Sequence, residues 1–523
     1  MVVTEQSRHT PHPLPGRRVA ATVGLLSVAA AVGTGHLVAG LLAPRSSPFL
    51  AVGDAVVRLS PSWLTEFAKG AFGTADKPVL LAGTAVLLVV VAAVIGLAAR
   101  RRVLPGVVGV VGLGLAGLLA VVTAPGVGPV DLVAPLAAPV AGVAVLGWLR
   151  GLAGGAGGGR PAGGGPSRRA VLIGSSVAVG LVSVGAGLGG ALVGGGLVES
   201  RRAVSERLAR IRPARAAPAI PAGAAFPESG TPPFVTANPD FYRVDVALRV
   251  PAVTAEEWRL RVHGMVDDEL TLTFDDLLAR PLLERTITMT CVSNEVGGPY
   301  ISTATFLGVD LREVLREAGV RPGADQVLST STDGWTAGTP LDVLLEPERG
   351  ALLAVGMNGE ALPPEHGFPV RMVVPGLYGF VSATKWVVDL EVTTFAERQA
   401  YWLQRGWGRL APIKTQCRID SPRGFATAPA GRVVVAGIAW SQPVGIGGVE
   451  VRVDGGPWQG AELATEVGGD TWRMWRTAFD LAPGSHTVQA RATDRDGVTQ
   501  TEERAAPIPD GASGWPALIF TVS

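Results

Sequence analysis

The stretch ERTITMTCVSNEVGG, residues 284–298, alternates β-branched and polar side chains and then breaks at a pair of glycines. This pattern predicts a β-strand that delivers Cys291 into a loop. Three roles are open to a thiol at a strand tip: a small buried hydrophobe, one half of a disulfide with Cys417, or a metal ligand or nucleophile. The chain has only 2 cysteines, so the surrounding sequence must decide among these roles.

The sequence on both sides of this strand mixes short strands with short helices. EEWRLRVHGMV (256–266) alternates as a strand does, whereas TLTFDDLLAR (271–280) begins a short helix with Thr273 as its candidate N-cap. LREVLREAGV (311–320) has the pattern of a second helix. Short strands, short helices and many turns predict a mixed α+β domain over residues 238–410.

Residues 411–523 change character again. Their short alternating segments are separated by Gly, Pro and Asp, and no helical period lies between them. This pattern predicts an immunoglobulin-like β-sandwich, for which the length is also suitable. We expect this domain to be a scaffold or an interface, and Cys417, at its start, to be structural.

The first 200 residues are apolar to a degree that the rest of the chain is not. Five stretches there approach or exceed the roughly 18–20 residues needed to cross a hydrocarbon core. They are Val19–Ala43, Pro78–Ala99, Leu104–Thr123, Leu132–Leu149 and Ala170–Val198. The sequence therefore predicts an anchor region over residues 1–200, built as a bundle of about five transmembrane helices.

Arginine residues determine the predicted orientation, because short cytoplasmic loops retain positive charge. Arginines precede the first span, separate the second from the third, and separate the fourth from the fifth, whereas the loop 124–131 has no basic residue. We therefore expect a multi-pass cell-membrane protein with its C-terminal region outside the cytoplasm. A stretch rich in Pro and Ala, residues 201–237, is predicted to be an extended linker between the two parts.

His36 is the only histidine within the five predicted spans. A bis-histidine haem needs histidines on facing helices, so we expect no haem in this region. The spans also hold no charged residue that would mark a transport path. The bundle is therefore expected to anchor the protein or dock a partner, and no nucleic-acid partner is expected.

Residues 352–392, LLAVGMNGEALPPEHGFPVRMVVPGLYGFVSATKWVVDLEV, resemble the sulfite oxidase family of molybdenum-cofactor enzymes, as does the cysteine loop followed by FLGVDLREVLREAGV (306–320). The resemblance extends over residues 238–523, and the predicted sandwich is similar to the family's dimerisation domain, which implies a homodimer. It also implies a molybdenum–molybdopterin cofactor. In this family two pterin dithiolene sulfurs and one protein thiolate hold the metal, and Cys291 matches that thiolate.

The same resemblance implies a set of cofactor-binding residues. His366 and Arg371 in HGFPVR and Lys385 in SATKW match the positions that anchor the cofactor, where cationic groups can bind phosphate. The remaining residues expected to complete the pocket are Asn238, Tyr242, Arg243, Asp333 and Ser382. Cys291 and Arg243 are also the candidate catalytic residues.

The substrate positions depart from those of animal and plant sulfite oxidases. Those enzymes bind their anion with arginines just after the ligand cysteine, where this chain has Glu295 and Val296, and Val355–Gly356 stands in place of their tyrosine before MNG. A carboxylate and an apolar side chain cannot replace guanidinium groups around a dianion. Efficient sulfite oxidation is therefore not expected. The substrate is expected to be a small oxyanion or a sulfoxide. The alternatives are a sulfoxide reductase acting on oxidised methionine and a non-catalytic membrane-anchored binding module.

The resemblance brings no visible cytochrome b5 or flavin domain, so electrons are expected to pass to or from a separate cytochrome or quinone-linked protein. GGGPSRRAVLIG, residues 163–174, places Arg168 and Arg169 before an apolar segment and resembles a twin-arginine export signal. Because cofactor insertion in this family is cytoplasmic, the resemblance implies that the outer domain crosses the membrane already folded. The paired arginines are therefore the expected start of that export step.

Overall fold

A computed structural model describes residues 14–43, 46–60, 76–123, 127–154, 195–247 and 250–523 of the chain. The chain divides into two compact units. The first comprises residues up to Gly196 together with Val246–Ala252, and the second comprises Leu197–Asp245 and Val253–Ser523.

The first unit is helical, and four of its helices are long and apolar enough to cross a membrane. Its helices are α1 (Arg17–Leu42), α2 (Pro48–Leu59), α3 (Asp76–Ala98), α4 (Val103–Val122) and α5 (Val133–Gly154). The predicted spans up to residue 149 coincide with α1, α3, α4 and α5, whereas α2 falls in a predicted loop. The predicted span Ala170–Val198 lies mostly outside the described residues, as do Arg168 and Arg169.

Small and polar side chains join the helices of this unit. A Cβ atom on Gly24 of α1 would lie 2.1 Å from the carbonyl oxygen of Ala92, and one on Gly96 would meet the backbone of α1 equally closely. Helices in membranes commonly pack through such small residues, because these allow the two backbones to approach. His36 lies on α1 with Nδ1 3.0 Å from Ser47 Oγ.

The second unit begins within α6 (Gly195–Leu208), at Leu197, and its other helices are short. They are α7 (Phe274–Leu278), α8 (Leu311–Ala318), α9 (Leu341–Leu345) and α10 (Gly379–Ser382). The predicted helices at 271–280 and 311–320 correspond to α7 and α8. Thr273 caps α7 as predicted, because its side chain accepts a hydrogen bond from the amide of Asp276.

Ten strands form two sheets in the first part of this unit. They are β1 (Arg259–Gly264), β2 (Leu270–Thr273), β3 (Leu282–Thr290), β4 (Ile301–Asp310), β5 (Gln326–Ser331), β6 (Thr336–Pro340), β7 (Leu352–Met357), β8 (Glu360–Ala361), β9 (Arg371–Val373) and β10 (Val387–Thr393). One sheet has the order β2-β1-β10-β5-β6, and the other has the order β3-β4-β7-β8 with β9 beside β7. Strand β3 is therefore an edge strand, paired antiparallel with β4 from Leu282 opposite Val309 to Thr290 opposite Ile301.

Nine further strands follow in the C-terminal part. They are β11 (Gln416–Ser421), β12 (Thr427–Ala428), β13 (Gly431–Trp440), β14 (Ile446–Val453), β15 (Gln459–Gly460), β16 (Glu462–Leu463), β17 (Arg473–Leu481), β18 (Gly484–Asp494) and β19 (Ala517–Val522). They form a sheet of order β11-β13-β17-β16 and a sheet of order β12-β19-β18-β14-β15. Cys417, Trp475 and Phe520 are buried in one core with side chains of both sheets. The β-sheet character predicted for this region is confirmed.

The stretch predicted to be an extended linker, residues 201–237, packs against the second unit instead. Val204 and Leu208 of α6 are buried in the core of that unit, and so are Phe226 and Phe234. Residues four apart share one face of a helix, so Val204 and Leu208 form a narrow apolar stripe on α6. The prediction missed α6 because two buried apolar residues are too few to define a helical period.

Candidate active site

Cys291 lies directly after β3, at the tip that the sequence predicts. Its amide donates a hydrogen bond to the carbonyl oxygen of Tyr300 at 3.0 Å, and Asn294 closes the loop by donating its amide to the carbonyl oxygen of Cys291 at 3.0 Å. The amide of Ser293 approaches the Cys291 sulfur at 3.4 Å. The residue is 9% exposed. Cys291 and Cys417 form no disulfide, and Cys417 instead contacts the sandwich interior.

Three of the 4 tyrosines in the chain lie near Cys291: Tyr242, Tyr300 and Tyr378. The ring centroids of Tyr242 and Tyr300 are 6.5 Å apart. Burial raises the pKa of Tyr378 to about 12 and raises the pKa of Tyr242 further, and Cys291 adds to both shifts. Both phenols therefore stay protonated at neutral pH and can donate hydrogen bonds. Sequence reasoning found only Tyr242, because no local motif connects the other two with Cys291.

His366 ends a short 3-10 turn, Pro364–His366, and is 2% exposed. Its Nε2 lies 3.2 Å from the carbonyl oxygen of Asn238, so the proton of the neutral ring belongs on Nε2. Burial, with the nearby cations Arg371 and Lys385, lowers the pKa of His366 to about 3. Within the described part of the chain, the buried Nδ1 has no hydrogen-bond partner. The imidazole thus offers an acceptor to a group bound beside it.

Arg371 begins β9 and is 3% exposed. Its guanidinium donates to the carbonyl oxygens of Met372 at 3.4 Å, His366 at 3.2 Å and Ala383 at 3.4 Å, and the described residues give it no carboxylate partner. Burial lowers the pKa of Arg371 to about 10, so the side chain stays charged at neutral pH. A buried cation without an anion is costly. A bound phosphate would supply the missing charge.

Lys385 and Arg243 share the carboxylate of Asp245. Asp245 Oδ2 accepts from Arg243 Nε at 2.8 Å and from Lys385 Nζ at 3.4 Å, and Lys385 also donates to the carbonyl oxygen of Glu365 at 3.0 Å. Burial lowers the pKa of Lys385 to about 8, although Asp245 opposes the shift. Arg243 is exposed, so it marks the solvent side of this cluster. Sequence reasoning missed Asp245.

The other three predicted residues make hydrogen bonds within the protein. Asn238 donates through Nδ2 to Glu360 Oε1 at 2.6 Å. Ser382 donates through Oγ to carbonyl oxygens just before its own helix α10. Asp333 accepts from a backbone amide in the turn between β5 and β6. These side chains shape the backbone near the predicted pocket, and their contact with a cofactor stays a prediction.

Comparison with known proteins identifies the family of this chain. Residues 247–402 match the family model described as an oxidoreductase molybdopterin binding domain. The chain is 32% identical over 336 residues to mitochondrial sulfite oxidase of Homo sapiens, which covers 54% of this chain and 60% of the human protein. It is 36% identical over 151 residues to the uncharacterized oxidoreductase YuiH of Bacillus subtilis, which covers 29% of this chain and 72% of YuiH. The chain belongs to the sulfite oxidase family of molybdopterin oxidoreductases.

One solved structure with a similar chain path is the sulfane dehydrogenase SoxCD from Paracoccus pantotrophus. It aligns with a TM-score of 0.49 at 22% identity and covers 58% of this chain and 88% of that chain.

The residues predicted to bind the cofactor can be tested for buried polar groups that lack a partner within the protein. Among the described residues, 12 buried side-chain atoms have no hydrogen-bond partner, and three of them belong to His366 or to residues next to or near Cys291 in the sequence: Thr290 Oγ1, Asn294 Nδ2 and His366 Nδ1. Such atoms are costly unless a bound group pairs with them. Clusters of three or more potential metal ligands are absent from the described residues. The unpartnered buried polar atoms and the buried cation Arg371 fit an anionic, hydrogen-bonding cofactor.

The loop after Cys291 carries no cation at the positions where sulfite oxidases have arginines. Glu295 is exposed and Val296 is half-buried. A cation does reach this loop from the sandwich, because Arg418 of β11 donates through Nη1 to the carbonyl oxygen of Gly298 at 3.2 Å. Arg418 also pairs with Asp420 at 2.7 Å, so its charge is already partly balanced. Sequence reasoning missed this contact because 120 residues separate the two groups.

Proposed function

We propose that this protein is a membrane-anchored molybdenum-cofactor oxidoreductase that transfers an oxygen atom while two electrons pass to or from a separate redox partner. The observation that carries the proposal is the buried guanidinium of Arg371, which lacks a carboxylate partner and contacts the backbone of His366. Tyr242 lies near both the anchors and the thiol, because after burial Cys291 and Arg371 are the groups that influence the pKa of its phenol. The cation Arg371, the acceptor His366 and the thiol Cys291 would therefore all bind the same cofactor.

Each residue has a distinct task in this proposal. The molybdenum–pterin group, when bound, supplies the two-electron oxygen-atom chemistry. Arg371 and Lys385 would hold its phosphate through charge-assisted hydrogen bonds, and His366 would accept a hydrogen bond at Nδ1. Cys291 would hold the metal as a thiolate, a soft ligand suited to it. Tyr242 would orient the substrate oxygen by donating from its protonated phenol.

Reduction of sulfoxides, such as oxidised methionine in exported proteins, is a second candidate. The composition of the Cys291 loop favours it, because Glu295 and Val296 stand where a dianion would need arginines. A neutral sulfoxide needs a hydrogen-bond donor more than a countercharge. The protonated phenols of Tyr242 and Tyr378 are donors of that kind.

We also propose that the second unit lies outside the cytoplasm and that the apolar helices anchor it in the cell membrane. The arginine distribution and the length of α1, α3, α4 and α5 support this location. The electron partner would then be an extracytoplasmic cytochrome or a quinone-linked membrane protein. Residues 411–523, similar to a dimerisation domain of the family, would form a homodimer.

The decisive experiment is metal and pterin analysis of the full chain purified from a host that makes the cofactor, followed by two assays. Sulfite oxidation is measured with an artificial electron acceptor, and methionine sulfoxide reduction with an artificial donor. About one molybdenum per chain with turnover in either assay supports the proposal, and the productive assay identifies the substrate class. A folded chain without molybdenum or pterin would instead identify a non-catalytic binding module.

A further inference from the structure

Strand β3 lies at the edge of its sheet, yet its outer edge is covered at both ends. Near its start, Glu284 donates its amide to the carbonyl oxygen of Arg215 at 2.8 Å. Near its end, Thr288 donates its amide to the carbonyl oxygen of Asp470 at 2.9 Å, and Gln442 donates through Nε2 to the carbonyl oxygen of Thr288 at 3.0 Å. The sandwich thus satisfies backbone groups that an edge strand otherwise leaves unpaired.

Side chains strengthen the same contact. The amide of Trp472 donates to the Thr288 hydroxyl at 2.8 Å. Arg285 pairs with Asp470 at 2.6 Å, and both side chains are mostly buried. Gly350, at φ +64°, makes room for this pair, because a Cβ atom there would lie 1.8 Å from the Arg285 guanidinium. The contact therefore combines backbone hydrogen bonds, the Arg285–Asp470 ion pair, and the space that Gly350 leaves for that pair.

The two sheet regions also share apolar packing at this place. Trp472 is 2% exposed, and it belongs with Trp440 and Met474 to the core that contains Ile287 of β3. Its indole Nε1 donates to the carbonyl oxygen of Phe234 at 3.0 Å. The sandwich consequently contributes to the interior of the cofactor region in addition to its own separate core.

We propose that the clasp, formed by Gln442, Asp470 and Trp472, is a positioning device for Cys291. The clasp holds Thr288 on the outer side while β4 holds it on the inner side, and Cys291 follows three residues later. An extended strand fixed on both edges has little freedom to twist or slip, so the direction of the thiol is set by the sandwich. This role rests on the proposed function, in which Cys291 holds the metal. It makes the sandwich part of the cofactor site.

The test uses the full chain expressed without cofactor, so that the thiol can be probed directly. The variants are Asp470→Asn, which removes the charge that pairs with Arg285, and Gln442→Leu, which removes the amide that donates to the Thr288 carbonyl oxygen. Mass spectrometry measures the alkylation rate of Cys291 by iodoacetamide, and buried Cys417 in the same molecule reports general loosening. Glu462→Gln is the matched control, because its acid pairs with Arg476 on the exposed surface of the same sandwich.

Both clasp variants are expected to speed alkylation of Cys291 about 5- to 10-fold, with Cys417 unchanged, because lost hydrogen bonds release the strand end locally. When the same variants are made in a cofactor-producing host, their molybdenum content is expected to fall. An unchanged Cys291 rate would overturn the clasp, and so would equal acceleration of both cysteines. If the wild-type chain binds no molybdenum, the proposed function fails, whereas the alkylation comparison still decides whether the clasp positions Cys291.

Discussion

Arg371 is a buried cation whose hydrogen-bond partners among the described residues are carbonyl oxygens. Replacing it with Ala is expected to lower molybdenum and pterin content, because each charge-assisted hydrogen bond to phosphate contributes about 1.5–3 kcal/mol. Metal analysis of the purified chain measures the effect. Arg432→Ala, at an exposed position of β13, is the matched control and should leave the content unchanged. If the Arg371→Ala variant kept its full molybdenum and pterin content, Arg371 would not be a cofactor-binding residue.

Cys291→Ser is expected to abolish turnover while the fold survives. A serine oxygen is harder and far less readily ionised than a cysteine sulfur, so it does not replace a thiolate ligand. Cys417→Ser makes the same atomic change in the sandwich core, where the Cys417 thiol donates to Gln500 Oε1 at 3.2 Å. The control should therefore retain activity. Activity and thermal midpoint are measured for both variants, and turnover by the Cys291 variant would refute its role.

The ionisation of Lys385 predicts a pH dependence of cofactor uptake. With the pKa of Lys385 near 8, the ammonium prevails below that pH and the neutral amine above it. Uptake by the cofactor-free chain should therefore decline as pH rises from 7 to 9. The free energy of unfolding should change in the opposite direction. Lys385 binds more protons in the unfolded chain than in the folded one in this pH range, so its contribution makes the folded state more stable as pH rises. Lys385→Arg should hold uptake constant, since a guanidinium stays charged. If uptake by the wild-type chain and by the Lys385→Arg variant had the same pH profile, Lys385 would not be a cofactor-binding residue.

At the scale of elements, α6 is a structural part of the second unit. Leu208→Ala is expected to lower the free energy of unfolding by about 2–5 kcal/mol, because the change leaves a cavity in a buried core. Arg202→Ala, on the exposed side of the same helix, should cost at most about 1 kcal/mol. Chemical unfolding followed by tryptophan fluorescence compares the two variants. Equal midpoints would show that α6 is not packed in solution.

The elements that sequence reasoning found carry a strong local period. The alternation before Cys291 is β3, and the apolar runs before residue 150 are α1, α3, α4 and α5. The alternating segments after residue 411 are strands of the last two sheets. Helix α6 was missed because only two of its apolar residues define its buried face. A local sequence pattern therefore predicts whether a segment is a helix or a strand. It predicts less well where a folded unit begins.

The site shows the same limit. Cys291, His366, Arg371 and Lys385 stand within recognisable motifs, and the structure places Arg371 and Lys385 near His366. Asp245 and Arg418 escaped prediction because they act through partners far away in the sequence, Lys385 and Gly298 respectively. Such pairings depend on how the sheets come together, and a single sequence does not contain that information in local form.

For the molecule as a whole, a twin-arginine export route through Arg168 and Arg169, which lie outside the described residues, remains a prediction. Replacing both with Lys preserves the positive charge that sets topology but removes the paired guanidinium groups of a twin-arginine signal. The folded second unit should then remain on the cytoplasmic side. Protease accessibility in intact spheroplasts measures its location. Normal external placement with full activity would rule out the twin-arginine route.

The covered edge of β3 has a consequence for biosynthesis. The ribosome releases β3 well before the clasp, since roughly 180 residues lie between Thr290 and Trp472, or about 10–40 s of elongation. During that interval the C-terminal half of the strand edge is bare, and a neighbouring nascent chain can add a strand to it. Slow translation or early termination between these points therefore favours intermolecular β-sheet, and a chaperone that shields this edge would be needed most before the last 50 residues are made.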